Sequence, residues 1–423
     1  MKMRISTGIA LCTVLLCNRS VARADAVSDW NAVMLATIAG QNPPAQARFA
    51  AITQLAVFEA VNAVTGDYKP YLGTVSAPAD ASAETAAVAA AYTVLRQYFP
   101  ASTASLDAAR AASLAMIPEG PGKSNGLAVG EAAAAAMIAL RSNDGASPPE
   151  FYLPSSSDPG EWQPTSACSA AGGAFFHWGG VTPFAVRSSR QFRADPPPAL
   201  SGHRYARAYR EVKEAGSINS TERPPDRSNV ARFFAAVSAV TAWNMVAAQI
   251  AEARHVSLTE KARALALMNM AISDGLVTVM ETKYHYRFWR PETAIHGGDT
   301  DGNERTAADL SFTPFVPAPC HPSYPSAHAT ASYAASDVLK RIYANGPHCI
   351  TLSSPALPGI VLQYTRLTEV TDDIDDARIY GGIHFRFDQE SGATQGRHVG
   401  EYVYRHYLHR QRDPACDEED RER

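Results

Sequence analysis

Positive charge is in short supply in this chain. Its 423 residues include 38 Lys or Arg against 42 Asp or Glu, a formal net charge of -4 with histidine neutral. A nucleic-acid partner wants a basic face, and this composition offers none. Any anion the protein binds must therefore be met by cations gathered locally. Cysteine is scarce too, six residues in all, and no two stand in a CxxC spacing, which argues against zinc. Alternating apolar and polar runs that would mark half-buried strands are few, and no repeat of fixed period is present. Beyond the first residues, no segment reads as long and apolar enough to cross a bilayer. What remains is a chain long enough to bury a large core, in one big domain or two closely packed halves.

The first residues are laid out as a secretory signal. Lys2 and Arg4 give a positive start, Ile9 to Cys17 an apolar stretch, and Ala22-Arg23-Ala24 a small-x-small cleavage site. Residues 1–24 are thus expected to be removed, with a secreted or periplasmic mature protein beginning near Asp25. Cys12 and Cys17 leave with the signal. Cys168, Cys320, Cys349 and Cys416 remain, and an oxidising compartment favours two disulfides among them, with three pairings open.

Helical patterns dominate the rest. Ala45 to Val64 carries an apolar stripe at helical spacing, through Phe49, Ile52, Leu55 and Ala56. Ser82 caps a helix running to Phe99, Ser102 caps another, and Asn125 to Arg141 is nearly continuous in alanine, as in a tightly packed bundle. Ser142 to Ser201 is rich in Pro, Gly, Ser and Trp and breaks helices repeatedly, which suits a functional wall or linker. Gly216 to Ser228 reads as a solvent loop. Helices resume over Asn229 to Ala253, from a Thr259 cap onward, over Pro325 to Tyr343, and over roughly Ser391 to Arg410. The fold class is all-α, divided into an N-terminal helical region, 25–220, and a second, 221–423, packed as one unit.

Three short segments carry the chemistry: Lys283-Tyr-His-Tyr-Arg-Phe-Trp-Arg290-Pro291, His321-Pro-Ser-Tyr-Pro325-Ser326-Ala327-His328, and Arg378-Ile-Tyr-Gly381-Gly382-Ile-His384. Singly, each has an ordinary explanation: cations at a helix end, a proline–serine cap, a glycine turn. Together they make an anion site. Lys283 and Arg290 lie about two helical turns apart, so they bracket one tetraoxoanion only if the chain bends, and Pro291 suggests that the helix ends there. Ser326 adds a hydroxyl, and the N–H groups of its helix add the positive dipole end. Arg378 adds a bidentate fork. Of the two histidines, one can bond a central atom while the other moves protons.

In this order the three segments resemble the signature of the superfamily of vanadium-dependent haloperoxidases and type-2 phosphatidic acid phosphatases. That signature is Lys, six residues, Arg-Pro; then Pro-Ser-Gly-His; then Ser-Arg, five residues, His. Phe58-Glu-Ala-Val-Asn62-Ala, Trp178-Gly-Gly-Val-Thr-Pro-Phe184 and the glycines Gly396 and Gly400 look like the bacterial haloperoxidase-like branch, so the likeness reaches from about residue 45 to 405. The resemblance implies a pair of helical bundles and a vanadate cofactor. Lys283, Arg290 and Arg378 would neutralise its equatorial oxygens, with Ser326 and the N–H of Ala327 donating further hydrogen bonds. His384 would be the ligand to vanadium and His328 the acid–base group, with Lys283 polarising peroxide. Two positions depart from the pattern: Ala327 stands for glycine, where a positive φ would be strained, and Ala377 for serine.

The implied activity is oxidation of bromide or iodide by hydrogen peroxide to hypohalous acid. The alternative is an acid phosphatase that hydrolyses phosphate esters through a phosphohistidine at His384, because five-coordinate vanadate has the shape of a phosphoryl-transfer transition state. His321 favours the first: this position tends to be histidine in members resembling bromoperoxidases and phenylalanine in those resembling chloroperoxidases. If Ser326 and His384 meet at one anion, the helices after them both run away from it, about 27 Å for eighteen residues. Cys349 and Cys416 would then pair at the far end, leaving Cys168–Cys320 beside the pocket, where a free thiol would be oxidised. Asp299 to Leu310 fails the EF-hand pattern, Asp372 to Asp376 reads as a solvated loop, and Phe288 and Trp289 read as packing.

Overall fold

The computed structural model describes residues 25–169 and 172–411. The signal segment and Cys416 lie outside the described residues. In chain order the helices are α1 (Ala26–Ile38), α2 (Pro43–Thr65), α3 (Ala83–Tyr98), α4 (Thr103–Ala115), α5 (Pro121–Leu140), α6 (His203–Gly216), α7 (Pro225–Ala236), α8 (Ala239–Ala253), α9 (Leu258–Tyr286), α10 (Pro291–His296) and α11 (Ala327–Tyr343). A hairpin follows, β1 (Ile350–Ser353) paired antiparallel with β2 (Val361–Tyr364), and then α12 (Leu367–Tyr380) and α13 (Arg386–His406). The all-α class holds, with this one short sheet among the described residues.

α1 to α5 form one helical group around α2 and α3, and α11, α12 and α13 form another with α7. α9, buried along most of its 29 residues, packs on α2 from the first group and on α11 and α13 from the second. Both α2 and α9 are long and apolar enough to span a membrane by length and composition, which corrects the reading that no later segment is. Protein covers them: 83% and 94% of their most apolar windows are buried.

Each group has a pair of helices whose backbones touch. On α5, Gly126 and Gly130 face α3 so closely that a Cβ would stand 2.5 Å from Ser82 O and 2.3 Å from Ala86 O. On α13, Gly392, Gly396 and Gly400 repeat every fourth residue, on one helix face. A Cβ there would meet Ser326 O, Thr330 O and Ala334 O of α11 at 2.6, 2.3 and 2.6 Å. This ridge sets how α11 and α13 lie together. Gly396→Ala is therefore expected to cost about 1–3 kcal/mol through overpacking, and a urea unfolding midpoint equal to wild type would contradict this.

Local chemistry explains the ends. Asn42 accepts from Ala45 N at the head of α2, Pro43 and Pro44 fill its first positions, and Gly66 closes it in the left-handed region. Ser82 caps α3 as expected. Several readings need correction. The expected helix over 229–253 is two, α7 and α8, meeting at a 102° bend where Ser238 caps the second. Ser257, not Thr259, caps α9. α11 begins at Ala327 and α13 at Arg386, several residues before Ser391. Gly216 to Ser228 is a loop only between the end of α6 and the start of α7. The acidic stretch Asp372 to Asp376 is helical, inside α12, because Leu367, Val370, Ile374 and Ala377 form a buried stripe beneath it.

Candidate functional site

The site lies where three chain segments cross, and aromatic side chains pin them together. Phe288, from the first segment, packs edge-on against Tyr324 of the second and Phe385 just after the third, with ring centroids 6.5 and 5.9 Å apart. Phe385 and Phe387 stack at 5.0 Å, and Trp289 is buried in the same cluster. Phe288 and Trp289 are thus packing residues, as read.

Lys283 and Arg290 come together because the chain bends after Tyr286. Arg287 takes the left-handed conformation, φ 48°, and its N–H closes on Lys283 O at 2.7 Å. The bend therefore falls four residues before the proline credited with ending the helix, and Pro291 opens α10 with Arg290 as its N-cap. Lys283 Nζ donates to Pro322 O and Ser323 O, both at 2.7 Å, which leaves one of its three protons uncommitted. Arg290 donates from Nε to His321 O (2.8 Å) and from Nη1 to Ile383 O (2.8 Å). Its remaining contacts reach His384 Nε2 and His321 Nδ1, each at 3.1 Å.

Arg378 lies in the last turn of α12 rather than in a turn. Its Nη1 donates to Phe234 O, while its Nε is buried with no partner among the described residues. Ala377, buried beside it, has no hydroxyl to offer. Ser326 caps α11, its hydroxyl accepting from Ala329 N, and its own N–H donates to Asp388 O at 2.9 Å. That bond ties the starts of α11 and α13. Ala327, at the first helical position, is not among the residues with positive φ, so the methyl group costs no backbone strain.

The sequence reading missed Asp388. Its carboxylate accepts from Ser323 Oγ (2.6 Å), His384 Nδ1 (2.8 Å) and Phe385 N (3.1 Å). A carboxylate on Nδ1 places that proton there and leaves Nε2 of His384 with a lone pair directed towards Arg290. The signal was present as His384-x-x-x-Asp388, one helical turn, at the head of α13. Arg290 Nη2 likewise faces His321 Nδ1 at 3.1 Å, and the same nitrogen lies 3.3 Å from Pro322 O.

The electrostatics are lopsided. Lys283, Arg290 and Arg378 are all buried, at 0, 0 and 3% exposure, and among the described residues Asp388 is the carboxylate whose charge bears on Lys283 and Arg290. Burial holds Lys283 well below its ordinary range, and Arg290 and Arg378 push the same way against Asp388. Burial lowers Arg290 to about 9 and Arg378 to about 10. His321, His328 and His384 are pushed well below 6.5, first by burial and then by these cations, so all three are neutral at pH 7. Three buried basic side chains thus face one carboxylate, and the Arg378 Nε has no acceptor among the described residues, an electrostatic imbalance that an anion would relieve. No cluster of His, Cys, Asp or Glu among the described residues could hold a metal ion by itself.

A cavity of about 160 Å³ opens onto this array. His321, Ala327, half-buried His328, Arg378 and His384 line it on one side, and apolar groups such as Leu276 and Met280 on the other. Lys283, Arg290 and Ser326 sit behind that wall through the bonds just described. Cys168 and Cys320 are joined, as expected, next to His321. Cys349 is also disulfide-bonded.

Fold and site define a class: two packed helical groups with a buried pocket walled by Lys283, Arg290 and Arg378. The comparisons narrow it. Residues 263–412 match the family described as the VCPO second helical-bundle domain. The vanadium chloroperoxidase of Curvularia inaequalis is 26% identical over 196 residues, 39% of this chain and 32% of that protein, so the match spans about a third of that relative. Among solved structures, the first bacterial vanadium-dependent iodoperoxidase is similar with a TM-score of 0.76 and 24% identity, over 92% of this chain and 96% of that one. A holo-type bacterial vanadium-dependent chloroperoxidase is similar with 0.70 and 17%, over 87% and 93%. At those identities the structural likeness carries the fold. Residues 263–412 thus match a vanadium haloperoxidase domain, and the chain as a whole is similar in fold to bacterial vanadium haloperoxidases.

Proposed function

We propose that the protein is a vanadate-dependent haloperoxidase that oxidises bromide or iodide with hydrogen peroxide to hypohalous acid. The observation that carries this reading is the trio of buried basic side chains around His384, whose tautomer Asp388 sets so that Nε2 keeps its lone pair, turned here to Arg290 Nη1 at 3.1 Å. Lys283, Arg290 and Arg378 would neutralise the vanadate oxygens, Ser326 and the N–H of Ala327 would donate to them, and His384 Nε2 would hold the vanadium. Bound vanadate supplies a Lewis-acid centre that polarises peroxide without changing its own oxidation state. The O–O bond of peroxide breaks, one oxygen leaving as water and the other joining the oxidised halide, with one proton taken up from solvent to give hypohalous acid.

The chain's own part is positional and protonic. Lys283, fixed by two carbonyls, directs its remaining proton into the site. His328, neutral at pH 7, accepts a proton at its imidazole and returns it to the departing oxygen. His321 on the cavity wall, bonded to Arg290, supports the bromide or iodide preference. The Cys168–Cys320 bridge supports a secreted or periplasmic location, the burial of α2 and α9 supports a mature form without a membrane span, and the packing of α2 on α9 supports regions 25–220 and 221–423 folding as one unit.

The Asp388–His384 pair also favours a second reading, phosphate-ester hydrolysis with His384 as nucleophile. One experiment decides between them: strip anions from the mature protein, then assay halide oxidation and p-nitrophenyl phosphate hydrolysis with and without added vanadate. Peroxide-dependent bromide or iodide oxidation is expected only with vanadate, and any hydrolysis only without it. Strong hydrolysis with no halide oxidation at any pH would select the phosphatase.

A further inference from the structure

A second, larger cavity of about 550 Å³ adjoins the anion site, and no role described so far uses it. We propose that it binds the organic acceptor of the reaction, a neutral, electron-rich planar aromatic of the phenol class; this rests on the haloperoxidase reading.

The two cavities share one partition. The first turn of α2 contributes Asn42 and Ala45 to the larger and Pro43 and Pro44 to the smaller, and Phe175 lines both. Phe175 holds φ 65°, a left-handed conformation unfavourable for a residue with a side chain. Such outliers persist where surrounding structure over-determines them, often at ligand clamps. Here Ala174 N donates to Cys320 O at 2.7 Å, next to the Cys168–Cys320 bridge, and the Phe175 ring stands 6.1 Å from that of His321. An oxidant formed on one side of this partition has a short path to a molecule held on the other.

The lining specifies the ligand class. Its size suits a one- or two-ring molecule. Phe49, Tyr98, Phe151, Phe175 and Trp178 present aromatic surface. The innermost charges are already matched: Asp144 pairs with Arg48 at 2.7 Å and Arg141 at 2.9 Å, and Arg48 lies over the Phe49 and Tyr98 rings. No unpaired buried charge selects a carboxylate or an amine. His177 Nδ1 accepts from Glu150 N at 3.1 Å, which leaves its Nε2 proton for a phenol oxygen. In the step itself a ring carbon forms a bond to halogen and loses its proton, while hypohalous acid gives up halogen and its oxygen leaves as water.

The test uses 2-naphthol and the mature protein without vanadate, peroxide or halide, followed by naphthol fluorescence anisotropy. One naphthol per chain is expected to bind saturably, and saturating inorganic phosphate should leave it in place. Ala146→Trp and Asn143→Trp, both on the irregular wall and checked for wild-type circular dichroism, should each weaken it by at least about tenfold. No saturable binding, unchanged affinity in a folded variant, or displacement by phosphate would overturn the proposal. Normal naphthol binding by a protein that oxidises no halide would defeat the haloperoxidase reading instead and leave an aromatic-binding chamber.

Discussion

His384→Ala is expected to lose vanadate retention altogether, read as a fall of more than about a hundredfold in affinity by equilibrium dialysis. Loss of a group that merely supports a metal ligand commonly costs ten- to hundredfold, and His384 is the proposed ligand itself. The cations remain in the variant: Lys283 keeps both carbonyl partners, and Arg290 keeps His321 O and Ile383 O. Any affinity that survives thus measures electrostatic attraction alone. Added imidazole should restore part of the binding, because the lost group leaves a space beside Asp388. Wild-type affinity in a folded His384→Ala protein would show that the anion is held by charge and that no histidine bonds its central atom.

His328→Ala should give the opposite pattern. Vanadate affinity should stay within a few fold of wild type, while peroxide-dependent halide oxidation falls by at least about a hundredfold, the usual contribution of a positioned proton-transfer group. The separation follows from structure. His328 stands at the cavity face of α11, half-buried and without a hydrogen bond to the protein among the described residues, whereas His384 is locked between Asp388 and Arg290. Affinity and turnover falling together would mean that His328 holds the anion as well, and the division of labour would need redrawing.

The Ser82 cap and the charged motif residues were legible in the sequence because their chemistry is local. Ser82 sits at a helix start where its oxygen meets a free N–H group, whereas Ser102 makes no side-chain cap bond and Thr259 lies inside α9. The features that were not legible depend on distant partners. Arg287 has no side-chain signature for its left-handed turn, yet that turn lets Lys283 and Arg290 converge. The break between α7 and α8 contains neither glycine nor proline and is marked only by Ser238, whose hydroxyl also donates to Gln46 of α2. Four aspartates hid the apolar stripe of α12, and with it the fact that Arg378 reaches the site from a helix. Asp388 passed unread, because it joins the site only through the tie from Ser326 N to its backbone oxygen, which sets the start of α13 beside α11.

The central claim is that one oxyanion completes a buried array of Lys283, Arg290 and Arg378 around His384. Titration of the anion-stripped mature protein with orthovanadate, followed by ⁵¹V NMR with phosphate as competitor, tests it most directly. The account predicts saturation at one vanadate per chain, displaced by phosphate. Failure to saturate, or vanadate binding indifferent to phosphate, would contradict it.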